Sequence, residues 1–361
     1  MSTNPFATHV RPDSQAFLAC LRREGTPRRV HHIEIYLDEE VKQILAPRFG
    51  LLDCIDKFDS WFVQKREIAL QRFLGYDYVV GKLEGVDLSL NWMNIEDTAQ
   101  VKRESGRLFI DEHRGPITSC EEYERYPWPD LSKANTGVLE WYEKNLPDDM
   151  CVIGGLTGHF AEELSWLMGY ETLCLALYDQ RDLVRAIAHR LFDMYREILR
   201  IYLQFSRVRI VWGTDDMGFR SGTLISPKDL REFVLPGHKM LAAMCHEQGR
   251  LYLLHSCGRL TQIYPDIIED IQADAKHSFE DTIEDVRDVK REWGDKIALL
   301  GGLDMDFMCR ASSAEVRART RDTLKKCQPG GGYCLGTGNS VANYLSIDNY
   351  LAMLDEGRRF T

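Results

Sequence analysis

The chain contains no stretch of roughly 18 to 20 uninterrupted apolar residues, the length a helix needs to cross a bilayer, so no membrane span is expected. Its first residues, Met1-Ser-Thr-Asn-Pro-Phe6, show no basic-then-apolar signal pattern, which points to a cytoplasmic protein. Basic residues are the minority, 45 against 56 acidic, and the resulting charge of -11 excludes nucleic acid as a main partner, because phosphate binding needs a basic face. The same balance makes a highly anionic substrate less natural, although a local arginine cluster could still bind one. The ten cysteines show none of the short, regular spacings of a disulfide scaffold, so reduced thiols are expected. There is no internal repeat, no low-complexity segment and no Gly-Ser-Pro linker, which favours a single domain over 1–361.

What the sequence does contain is alternation. Apolar, strand-like stretches occur at 31–36, 76–81, 150–155, 208–214, 251–255, 273–278, 297–301 and 333–336. Amphipathic stretches of helical length follow the later ones, at 183–204, 227–247, 260–271, 283–293, 314–327 and 347–358. Ser226-Pro227 and Ser312-Ser-Ala-Glu315 supply N-cap and first-turn signals for two of these. Eight strands alternating with helices predict an α/β fold, a (β/α)8 TIM barrel, with an open doubly wound sheet as the alternative. Residues 1–30 read as an N-terminal extension, and 88–130 break the alternation and read as a hairpin insertion near the mouth. The aromatics Trp92, Tyr126 and Trp128 in that stretch suit a satellite core, or a lid.

Barrel active sites sit at the carboxyl ends of the strands, and those ends are polar here. They carry Glu34, Asp215 and Asp216, His255 and Cys257, His277 and Glu280, Asp304, and the stretch from Cys334 to Asn339. His255 and Cys257 follow the apolar Leu251-Tyr-Leu-Leu254 with one residue between them, so both side chains can face one centre. Imidazole and thiolate are ligands that zinc prefers. The competing reading is a hydrogen-bonded core histidine beside a buried thiol. Of the two adjacent carboxylates, one suits substrate or proton handling and the other suits bracing the loop. The glycine-rich turns Gly154-Gly155-Leu-Thr-Gly158 and Gly330-Gly-Gly332 lack phosphate-loop spacing and read as places where backbone passes close to a ligand or neighbour.

With those residues assembled, the chain resembles the uroporphyrinogen decarboxylase superfamily, in particular its corrinoid- and thiol-directed methyltransferase branch. The resemblance is best from about Val208 onward. It rests on Gly213-Thr-Asp-Asp-Met-Gly218, Ile225-Ser-Pro227 with Phe233-Val-Leu-Pro236, Leu254-His-Ser-Cys-Gly258, Leu300-Gly-Gly-Leu-Asp304 and Gly330-Gly-Gly-Tyr333. True decarboxylases of the superfamily carry an arginine-rich Met-Arg-Gln-Ala-Gly-Arg-Tyr segment. Arg28-Arg-Val-His-His-Ile-Glu-Ile-Tyr36 stands there instead, which disfavours porphyrinogen decarboxylation.

The resemblance implies a zinc ion on His255, Cys257 and a distant cysteine, with Cys334 as the third metal ligand. The family pattern places Asn339 on the distant position, and an oxygen of Glu34, Asp216, Glu162 or Glu280 is the alternative ligand. It further implies Asp216 and Glu34 as catalytic residues, and Asp215, His277, Glu280 and Asn339 as substrate-binding residues. The expected reaction moves a methyl group between a small O- or S-methyl donor or a thiol and a corrinoid (cobalamin). Because the sequence has no cobalamin-binding Asp-x-His-x-x-Gly motif, the corrinoid is expected on a partner protein. Two other readings are a metal-free, decarboxylase-like lyase and a non-catalytic barrel that binds a small molecule or corrinoid.

Overall fold

The computed structural model describes residues 4–99, 101–111 and 113–360. Residues 1–3 of the expected extension, residues 100 and 112 of the expected insertion, and residue 361 lie outside that set. In chain order the strands are β1 (Tyr78–Gly81), β2 (Trp92–Ile95), β3 (Arg107–Ile110), β4 (Cys151–Thr157), β5 (Val208–Thr214), β6 (Gly218–Phe219), β7 (Gly222–Thr223), β8 (Leu251–His255), β9 (Ala275–His277), β10 (Ala298–Leu300) and β11 (Tyr333–Cys334). Seven of them form one sheet in the order β1-β4-β5-β8-β9-β10-β11, with every neighbouring pair parallel. Residues of β8 and most of those in β5 are buried, as expected where helices cover the sheet.

The stretch expected to be the first strand, 31–36, is not a ladder strand among the described residues. It meets the chain just after β11 through the parallel bridge His32–Leu335, and Leu37, which follows it, bridges to Val341. Towards β1 its contacts run through side chains: the His31 imidazole lies 2.7 Å from Asp77, and the Tyr78 hydroxyl both accepts from the Glu34 amide and donates to the Glu34 carbonyl. Side-chain partners thus occupy polar groups that a ladder would pair.

The helices that follow the strands bury apolar stripes. Arg181–Tyr202 sets Leu183, Val184, Ile187, Leu191, Ile198 and Tyr202 inward at helical spacing. Ser226 and Ser312 act as N-caps, and Ser312 forms a capping box with Glu315. The continuous helix expected over 227–247 is two, Pro227–Phe233 and Leu235–Glu247. Pro236 explains the break, since it has no N–H to give and its ring clashes with the preceding turn. Likewise 260–271 forms only short turns, Thr261–Ile263 and Asp266–Asp270.

β2 and β3 pair antiparallel, with Trp92 opposite Ile110, and this ribbon exposes Trp92, Met93, Ile95, Leu108 and Phe109. Tyr126 and Trp128 do not form part of an exposed lid: their rings meet edge-on at 4.8 Å, Tyr126 is buried, and its hydroxyl donates to the Ser89 carbonyl. No helix among the described residues is long and apolar enough to cross a membrane.

Candidate metal centre

Strand register builds the site. Thr214 pairs with His255 and His255 pairs with His277, so the carboxyl ends of β5, β8 and β9 lie side by side. The chain turns after β8 through Ser256, Cys257 and Gly258, and after β5 through Asp215, Asp216 and Met217. Both turns pass close to one another. Gly258 has φ +82°, and a Cβ there would come within 2.2 Å of the Gly218 carbonyl carbon. A Cβ on Gly218 would in turn meet the Cys257 carbonyl oxygen at 2.6 Å, so glycine is needed on both sides of the contact. The Ser256 hydroxyl accepts from the Met217 amide at 3.0 Å and ties the turns together.

This arrangement gathers three ligand atoms of different chemistry. His255 Nε2 lies 3.4 Å from Asp216 Oδ1 and 3.5 Å from Cys257 Sγ, and the three atoms all fall within 4.8 Å of one another. The Cys257 amide donates to Asp216 Oδ1 at 2.9 Å. Burial pushes the Asp216 carboxyl up, but the His255 imidazole and the Cys257 amide outweigh it and hold the group down at about 2. Burial and the neighbouring Asp216 charge push the Cys257 thiol well above its ordinary range. A thiol with that bias needs a cation to ionise it, which is what a bound divalent metal supplies. Separations of 3.4 and 3.5 Å are those of atoms sharing a tetrahedral ion at bond lengths of roughly 2.0 to 2.3 Å. The residues present therefore fit zinc.

The imidazole is aimed by a second one. His277 is fully buried, and its Nδ1 lies 2.7 Å from His255 Nδ1, which leaves His255 Nε2 to face the carboxylate and the thiol. Burial, and then the neighbouring His255 and Lys276, hold His277 in its neutral form. His277 thus positions His255 and does not line a substrate site. Groups that hold a metal-ligating histidine typically account for roughly 10- to 100-fold in metal affinity. His277→Ala is expected to weaken zinc binding by about that factor, measured by competition with a chelator; unchanged affinity would remove His277 from this role.

Asp215 and Asp216 divide their work. Asp215 is fully buried, accepts from the Ala161 and Glu162 amides at the start of helix Phe160–Met168, and lies 2.9 Å from His238 Nε2. It braces the loop and has no face for substrate, contrary to the substrate-binding expectation. The carboxylate of Glu34, expected to be catalytic, is engaged by the Thr337 amide at 2.8 Å and hydroxyl at 2.5 Å. Its carboxyl is pushed up to about 8 by burial, against those two bonds.

Cys334 is not brought to the centre. It closes the two-residue β11, paired with Leu300 of β10, and does not join the Asp216, His255 and Cys257 group. Its thiol is fully buried and its hydrogen-bonding neighbour is Cys20 of helix Ser14–Leu21. Asn339 is the residue that arrives from this strand, and its Nδ2 donates to Cys257 Sγ at 3.3 Å. Asp216, one of the oxygen alternatives, is the third group that could donate beside His255 and Cys257.

Beside Asn339 opens a cavity of about 950 Å3, lined among others by Tyr36, Glu280, Asp304, Phe307 and Tyr344. Asp304 caps the helix Met305–Arg310. Glu280 makes no side-chain hydrogen bond or ion pair among the described residues, and burial, followed by the charges of Asp304 and Asp216, raises its carboxyl above the usual range. An unpaired carboxyl with that bias can take or give a proton inside the cavity. Sequence reasoning did not single out Ser256 or His238. The register between β8 and β9 is the signal that makes His277 a partner of His255, and register is a property of the folded sheet.

The profile of the family described as "Uroporphyrinogen decarboxylase (URO-D)" matches residues 113–360. Among curated proteins none matches the sequence. A solved structure of a methyltransferase from Methanosarcina mazei superposes with a TM-score of 0.66 at 16% identity, over 96% of this chain and 98% of the other. That likeness is one of fold.

Proposed function

Because the chain belongs to the uroporphyrinogen decarboxylase family, we propose that it is a zinc-dependent methyltransferase, moving a methyl group between a small O- or S-methyl substrate or thiol and a corrinoid carried by a separate protein. The observation that carries this reading is the convergence of Asp216, His255 and Cys257 on one point at the carboxyl end of the sheet. The name of the Methanosarcina mazei fold neighbour agrees with it. Porphyrinogen decarboxylation needs no such trio and lacks its arginine segment here.

Asp216, His255 and Cys257 would hold the ion, and three protein ligands leave a position for substrate. Bound there, zinc supplies Lewis-acid stabilisation to a thiolate or a departing alkoxide. The chain's own groups do the rest. His277 fixes the His255 ring, and Asn339 donates to the Cys257 sulfur and limits its orientation. Glu280 handles the proton of the substrate heteroatom from the cavity wall. The cavity beside Asn339 gives the substrate and the carrier's corrinoid a common approach to the centre.

The test is a screen of methylcobalamin with small thiols, and of reduced cobalamin with O- and S-methyl compounds, followed by the absorbance of the cobalt. A zinc-dependent spectral change is expected, and Glu280→Gln should slow it by roughly 100-fold or more, the usual scale of a lost acid-base group. No change with any pair, from protein verified to hold zinc, would sink the methyl-transfer reading.

A further inference from the structure

A second cavity, of about 350 Å3, opens at the carboxyl ends of β1 and β4, one strand away from the metal centre. Its walls include Trp92, Trp166, Tyr195 and Tyr202, and its polar groups include Thr157, His159 and Glu163. Glu163 is 7% exposed. One of its oxygens accepts from the Tyr195 hydroxyl at 2.6 Å, and the other, Oε2, is buried with no hydrogen-bond partner. Thr157 is 2% exposed, and its hydroxyl likewise has none. Two buried polar groups without partners on the wall of one cavity are costly in a folded protein unless a ligand satisfies them.

Lys82 and Asp87, also on the wall, are exposed charges of opposite sign, and the other buried polar groups are already engaged. His159 Nδ1 lies 2.9 Å from Glu162, and its Nε2 lies 3.1 Å from the Thr214 hydroxyl. The Tyr202 hydroxyl accepts from the Leu83 amide and sits where a Cβ on Gly155 would come within 2.3 Å of it. The glycine-rich turn after β4 thus serves to admit a tyrosine that closes the cavity wall. What remains buried and unpartnered is a carboxyl oxygen and a hydroxyl at the edge of an aromatic enclosure.

We propose that this cavity binds a small organic ammonium compound, a primary amine on a flat apolar body, with Glu163 as its anionic partner. An ammonium group brings three donors and no acceptor, which suits the free carboxyl oxygen and the lone pairs of the Thr157 hydroxyl. Aromatic walls attract such a cation through their negative faces while they bury its apolar body. Burial pushes the Glu163 carboxyl up to about 8, against the pull of His159 and Tyr195, and a cation beside it favours the ionised form. The charge of His159 is met by its own partner, Glu162. The site is independent of the methyl-transfer reading, since binding is measured with neither a methyl donor nor cobalt.

The experiment is calorimetric titration of the full-length protein at neutral pH with benzylamine, benzyl alcohol and benzoate as probes. Benzylamine is expected to bind at least tenfold more tightly than benzyl alcohol, and benzoate not at all. Glu163→Gln should remove that tenfold preference, with Thr157→Val weakening benzylamine several-fold. Equal affinity for the alcohol and the amine, tighter binding of benzoate, or no binding of benzylamine at millimolar concentration would each overturn the proposal, as would an undiminished preference in folded Glu163→Gln. The three-probe comparison on the wild type decides the matter even where the variant does not fold. Zinc content and the cobalt assay report on the other reading separately.

Discussion

Zinc added to metal-stripped protein is expected to bind at about one ion per chain, and Cys257→Ala is expected to lose that affinity by more than roughly 100-fold, beyond the loss typical of a supporting residue. The expectation follows from the donor set. Cys257 supplies the only sulfur in the group, the other ligand atoms being His255 Nε2 and an Asp216 oxygen. Its thiol is biased against ionising by burial and by Asp216, so without a metal the sulfur stays protonated. Binding should therefore release a proton, which calorimetry in buffers of different ionisation enthalpy will detect. Cys334→Ala provides the contrast: its buried thiol packs against Cys20 and is not one of the grouped ligand atoms, so the variant should keep zinc affinity within a few-fold. A wild-type protein with no affinity for zinc, or a Cys334 variant that loses it while Cys257→Ala does not, would refute this assignment.

The largest effect on stability is expected one residue before the ligand Asp216. Asp215→Ala should lower the free energy of unfolding by roughly 3 to 5 kcal/mol, as several buried hydrogen-bonding groups lose their partner at about 1 to 3 kcal/mol each, read from urea denaturation. Removing this carboxylate strips the Ala161 and Glu162 amides of their acceptor at a helix start and leaves His238 with one buried nitrogen unmatched. His238 is itself linked to the Tyr252 hydroxyl at 2.8 Å, so the loss propagates across β5 and β8. His238→Ala should be costly as well, and the double variant should cost less than the two singles combined, because both remove the same contact. A change below about 1 kcal/mol in Asp215→Ala would show that the loop does not depend on this brace.

Much of the fold was legible because parallel strands buried on both faces announce themselves as apolar runs, and the residues 208–214 and 251–255 were bounded as the sheet has them. The stretch 31–36 misled for the same reason. Its Ile33 and Ile35 are buried as a strand's would be, but Asp77, Tyr78 and Thr337 engage its polar groups through side chains, and apolar patterning carries no information about that. At the site, His255 and Cys257 were legible from their spacing at a strand end. The role of Asp216 against that of Asp215 was not, since the two are adjacent in sequence and only the position of helix Phe160–Met168 separates them. Cys334 does end its strand as expected, but its thiol lies against Cys20, and Asn339, which the family pattern placed on the distant position, reaches the sulfur.

In the proposed centre Asn339 stands where the resemblance implies a distant cysteine, and Asp216 would be the third donor. One thiolate and one carboxylate balance a divalent ion, so the proposed centre would be electrically neutral before substrate arrives. An incoming thiol would then give its proton to a base such as Glu280 and bind as thiolate to an ion with only one sulfur already attached, harder in the Lewis sense than a sulfur-rich site. Such a centre is drawn towards oxygen as readily as towards sulfur, and among candidate methyl donors ethers would compete with thioethers on nearly equal terms.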